Sequence, residues 1–64
     1  MIVRVANYHR QMGSFTCYIW VEREEDGKYY YLQKSVPLEE ETEENIELWK
    51  AEALALATEY FNQE

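Results

Sequence analysis

The stretch Phe15-Thr16-Cys17-Tyr18-Ile19-Trp20-Val21-Glu22-Arg23, followed by Glu24-Glu25-Asp26-Gly27-Lys28 and then Tyr29-Tyr30-Tyr31-Leu32-Gln33-Lys34-Ser35, decides the fold. Phe15, Cys17, Ile19 and Val21 alternate with Thr16, Tyr18, Trp20 and Glu22. That two-residue period belongs to a strand with one buried face. Asp26-Gly27 between two strand-like runs is a strong hairpin signal, because glycine accepts a positive φ there. Tyr29 to Ser35 is therefore expected to return antiparallel to the first run.

Working outward, Ile2 to Tyr8 is rich in β-branched residues and reads as a further strand, joined through a Gln11–Ser14 turn in which Gly13 supplies conformational freedom. Pro37 ends the third strand, since it donates no ladder hydrogen bond and restricts Val36. A helix is expected from about Glu43 to Asn62 with Thr42 as its N-cap, and Glu43, Glu44 and Glu47 suit the positive end of its dipole. Ile46, Trp49, Ala53, Leu56, Ala57 and Tyr60 recur at three- and four-residue spacing, with Leu54 and Phe61 widening the stripe. The fold class is thus α+β: a three-stranded antiparallel β-meander with one C-terminal amphipathic helix packed on one face, in a single small domain over residues 1–64. The expected core is Val3, Val5, Phe15, Cys17, Ile19, Val21, Tyr30, Leu32, Ile46, Trp49, Ala53, Leu56 and Tyr60.

One helix covers only one face of such a sheet. Tyr8, Tyr18, Trp20, Tyr29 and Tyr31 are expected on the other, beside Arg4 and Gln33. A large exposed aromatic patch marks an interaction site, and Tyr, Trp and Arg are frequent interface anchors. Cross-strand aromatic pairs also stabilise a small sheet without any partner, by roughly 0.2–1 kcal/mol each.

Charge is the second asymmetry. The chain carries a net charge of −7. Residues 1–34 are close to neutral, whereas residues 35–64 set nine glutamates against Lys50 alone. Glu39, Glu40, Glu41, Glu43 and Glu44 fall within six consecutive positions. Duplex nucleic acid is a poor partner for this balance, because its affinity comes from cations that neutralise phosphates. A basic protein surface is a good one, since complementary potentials steer association. A single-stranded nucleic-acid platform on the aromatic face would need a positive groove, for which Arg4, Arg10 and Lys34 are the candidates.

Enzymatic and metal chemistry find little support. Gly13 and Gly27 stand alone in turns, so no phosphate loop exists. Cys17 belongs to the inward set and His9 to a strand end, an arrangement of inert packing rather than of a nucleophile and base. His9 and Cys17 lack zinc-ligand spacing, and the glutamate run lacks the glycine and alternation of a calcium loop. No catalytic residue, metal or cofactor is expected. No window resembles a membrane span or a leader sequence. The lone cysteine suits a reducing compartment, so a cytoplasmic location is expected.

Two resemblances follow from particular residues. Asn45 ahead of Ala51-Glu52-Ala53-Leu54-Ala55-Leu56-Ala57, after three strands, resembles the first half of an RNase H-like domain, where Glu52 would match a metal-binding glutamate. Ile2 to Tyr8 contains no aspartate to serve as that family's leading ligand. Thr42-Glu43-Glu44 through Glu47 and Glu52 resembles the helix start of HicB-type antitoxins, which are small and often acidic, although only Pro37 stands where they carry a proline-glycine segment.

The functional expectation is a small acidic binding protein, an inhibitor or regulator docking on a basic, nucleic-acid-handling partner. Its carboxylates would stand where phosphates sit, in the manner of phage-type DNA mimics. The alternatives are a homodimeric or obligate-complex subunit joined through Tyr18, Trp20, Tyr29 and Tyr31, antitoxin-like, and a single-stranded nucleic-acid binder using the same aromatics.

Overall fold

Both hairpins of the sheet are closed by glycines in the left-handed region, Gly13 at φ +79° and Gly27 at φ +75°. The computed structural model describes residues 1–63. Its elements are β1 (Ile2–Gln11), β2 (Ser14–Glu22), β3 (Tyr29–Pro37), a short 3-10 turn (Leu38–Glu40) and α1 (Glu43–Asn62). The strands form one antiparallel sheet in the order β1-β2-β3, and the helix follows as the last element. This is the β-β-β-α arrangement anticipated from the alternation in β2.

In the loop between β2 and β3, Asp26 accepts from the backbone N–H of Lys28 at 3.2 Å and from Arg23 Nε and Nη2, at 3.1 and 2.7 Å. β3 runs on through Pro37, which pairs in register with Ser14. β3 is an edge strand, where a residue without an N–H is tolerated. The Leu38 N–H then reaches back to the Gly13 carbonyl at 2.9 Å, tying the chain after β3 to the first hairpin.

Thr42 caps α1, its side chain accepting from the Asn45 N–H at 3.1 Å. Asn45 returns a bond from its amide to the Glu40 carbonyl at 2.8 Å. The 3-10 turn and the helix start are therefore locked together, and Glu41 between them occupies a defined position.

The buried core is Phe15, Cys17, Ile19 and Val21 from β2 against Trp49, Ala53, Ala57 and Phe61 from α1. The four helical residues form a single row at four-residue spacing. Ala53 and Ala57, with no accessible surface, let the helix backbone approach the sheet. Val3, Tyr30, Leu32, Val36 and Ile46 pack around them. Two core expectations are corrected at the helix. Phe61, 6% exposed, takes the place expected for Tyr60, which is 49% exposed. The buried row ends at 61, leaving Tyr60 at the rim, 5.3 Å from the Tyr30 ring with its polar end near water. Leu56 is half-buried for the same reason.

The third correction lies in β1. Val3 faces Val21 and Val5 faces Ile19, but the register then shifts, so that Tyr8 faces Cys17 and Arg10 faces Phe15. The irregularity between Val5 and Asn7 is a β-bulge, which inserts one residue and reverses the sidedness of everything beyond it. Tyr8 therefore lies on the helix side rather than on the outer face. Among the described residues, no helix is long and apolar enough to cross a membrane.

Candidate interaction surfaces

The outer face of the sheet is built from the residues of β2 that point away from α1. Thr16 pairs with Ser35, Tyr18 with Gln33, Trp20 with Tyr31 and Glu22 with Tyr29. From β1, Arg4 stands opposite Trp20 and Asn7 opposite Tyr18. Tyr29 and Tyr31 are 52% and 55% exposed, while Tyr18 and Trp20 are half-buried beneath their neighbours. Trp20 stacks on Tyr29 with centroids 4.2 Å apart, and Tyr18 tilts against Tyr31 at 6.4 Å. The Arg4 guanidinium lies 5.5 Å over the Trp20 ring. The Trp20 indole N–H is buried without a hydrogen-bond partner among the described residues. Tyr18, Trp20, Tyr29 and Tyr31 are thus brought together as anticipated, without Tyr8.

The cations expected beside them do not gather there. Arg10 and Lys34 both lie on the helix side, opposite Phe15 and Cys17. Lys34 pairs with Glu52 at 2.9 Å. Arg4 is the one of the three candidates left on the aromatic face.

The carboxylate run is divided by the fold. Glu39 and Glu40 sit on the 3-10 turn, and Glu43 and Glu44 in the first turn of α1, all exposed. Glu41 is turned inward and half-buried, where its carboxylate accepts from Arg10 Nε at 2.6 Å and from Arg10 Nη2. This bidentate bond raises the Arg10 pKa and holds the Glu41 carboxyl below its ordinary range. Among the described residues, no salt bridge reaches the side chains of Glu39, Glu40, Glu43 or Glu44.

No protein family, curated protein or solved structure matches this chain.

A third feature was not visible in the sequence pattern. Beneath the Arg10–Glu41 pair lies a cavity of about 260 Å³, with Val5, Tyr8, Phe15, Cys17 and Ile46 among its walls. It exists because the bulge carries Tyr8 and Arg10 to the helix side, near where α1 begins. No sequence signal marks it: an even-numbered Tyr8 reads as outward-facing, and only the inserted residue beside Asn7, whose side chain accepts from the Tyr8 N–H at 2.9 Å, turns it inward. Burial pushes the Cys17 thiol pKa up. Among the described residues, no group of three or more His, Cys, Asp or Glu side chains is placed to hold a metal ion.

Proposed function

We propose that this chain is a non-enzymatic binding protein that docks, as an inhibitor or regulator, on the basic surface of a partner whose site otherwise receives phosphates. The observation carrying this reading is the exposed set Glu39, Glu40, Glu43 and Glu44, which has no counter-ion among the described residues. Four of the molecule's six cations are committed elsewhere: Arg10 to Glu41, Arg23 to Asp26, Lys34 to Glu52 and Lys50 to Glu47. Glu43 and Glu44 satisfy the helix dipole, but Glu39 and Glu40 precede the helix. A partner's lysines and arginines would recover interaction that the free protein lacks. Affinity capture with mass spectrometry from the native host, followed by a salt titration, tests the reading. Affinity should fall steeply with salt and with competing oligonucleotide. Binding unchanged from low to high salt removes the carboxylates from the interface.

A second reading is favoured by the aromatic face. That face carries Arg4 and Glu22 and little further charge, on a chain of net charge −7. A second copy of this chain could meet there without bringing the glutamates of the two copies together. Trp20→Ala should then turn a dimer into a monomer in sedimentation, and an unchanged mass rejects it.

A further inference from the structure

We propose that the cavity beneath the Arg10–Glu41 pair is an anchor pocket, taking one bulky apolar side chain from a basic segment of the partner. This rests on the docking reading above and adds to it the kind of residue recognised.

The pocket's chemistry selects its occupant. Val5, Phe15 and Ile46 line it and the neutral Cys17 thiol lies within it, so a charged or strongly polar group would enter without compensation. An apolar cavity of about 150 Å³ already holds a benzene ring. The 260 Å³ here has room for a phenyl or indole side chain. Its charged groups are Arg10 and Glu41, already joined to each other, and Tyr8 adds a hydroxyl. Arg10 is half-exposed and rests 5.1 Å over the Tyr8 ring.

The surroundings select what flanks the anchor. Glu41 lies within the glutamate run, and Glu39, Glu40, Glu43 and Glu44 border it along the chain with their charges uncompensated. An anionic ligand would be repelled, whereas lysines or arginines on either side of an apolar anchor would be attracted. An anchor in a desolvated pocket with a charged rim is the usual anatomy of a strong protein contact.

The test uses the full chain and three fluorescein-labelled heptapeptides. Each has three alternating lysines and arginines on either side of a central Trp, Leu or Ala. The Trp peptide should bind about tenfold or more tightly than the Ala peptide, with Leu between them. Val5→Phe, which fills the cavity, should erase that preference while leaving the salt-dependent affinity of the Ala peptide. Should Val5→Phe fail to fold, Cys17→Met serves as the filling variant, and chemical-shift changes at the Ile46 methyl on adding the Trp peptide to wild type give a second readout. Equal affinity for the Trp and Ala peptides overturns the pocket and leaves the docking reading standing. A Trp preference that survives filling places the anchor elsewhere and also overturns the pocket. Failure of every peptide to bind at low salt overturns both. Free indole binding as tightly as the Trp peptide makes this a small-molecule site, and the peptide-anchor proposal falls.

Discussion

Trp20 and Tyr29 are stacked without being register partners: Trp20 faces Tyr31 and Tyr29 faces Glu22, yet the diagonal pair lies at 4.2 Å between centroids and 11° from parallel. Strand twist brings one diagonal neighbour closer than the other, and long aromatic side chains exploit it. The stack holds the free edge of β3 against β2 on a face that no helix covers.

The stack should be measurable as a coupling. A double-mutant cycle with Trp20→Ala and Tyr29→Ala in urea unfolding is expected to give about 0.5–1.5 kcal/mol. Trp20→Phe should cost less than Trp20→Ala, because it keeps a ring and removes an indole N–H that is buried without a partner. A coupling near zero would mean that the two rings contribute separately.

The end of the helix offers a sharper contrast. Phe61→Ala removes a buried ring and is expected to cost about 3–5 kcal/mol. In a chain of this size that approaches the whole stability, which a single small core rarely lifts above about 3–5 kcal/mol. Tyr60→Ala, at a half-exposed position, should lower the melting temperature far less. Circular dichroism melts of the two variants decide it, and equal losses would contradict the burial pattern.

Those two residues also mark how far the sequence can be read. The strict alternation in β2, the threonine-capped helix start and the hairpin glycines are local signals, and each element they specify is present. The choice between Tyr60 and Phe61 is not local. It depends on where a straight row of side chains, drifting around a long helix, leaves the sheet. The face of Tyr8 and Arg10 is likewise set by one inserted residue, which a period-two reading carries past without notice. The shared face of Tyr18, Trp20, Tyr29 and Tyr31 was legible because the phase of β2 and β3 is unbroken, but the half-burial of Tyr18 and Trp20 on that face was not. The separation of Glu41 from its neighbours was not, because its partner Arg10 lies on the far side of the bulge.

Acid should act first through Asp26 and Glu41. Arg23's hydrogen bonds lower the Asp26 pKa to about 2. The bond from Arg10 lowers that of Glu41. A depressed folded-state pKa means stability that is present above the ordinary carboxylate pKa and lost as pH falls through the folded one. For Asp26 the window runs from its ordinary 3.8 down to about 2. Asp26→Asn should flatten the stability profile across that range, and carboxyl NMR should place the wild-type titration near its bottom. Asp26 is exposed, so added salt should shrink its effect. An Asp26 titration at the ordinary carboxylate value would mean that Arg23 does not hold it in solution.

The bulge itself can be removed. Deleting Ala6 restores simple alternation through β1 and is expected to send Tyr8 and Arg10 to the outer face, because a one-residue change of register exchanges the two sides of a strand. Arg10 could then no longer reach Glu41 across the end of the helix. Three consequences should appear together. The Glu41 carboxyl should return toward its ordinary titration range, the cavity should lose Tyr8 as a wall, and Cys17 should react faster with iodoacetamide than in the wild-type protein, where it is buried and its thiol pKa is raised. Unfolding is a separate outcome, recognised by loss of the helix signal. In a folded deletion variant, a Glu41 titration that stays depressed would show that Arg10 finds Glu41 without the bulge, and the orientation of β1's second half would need another cause.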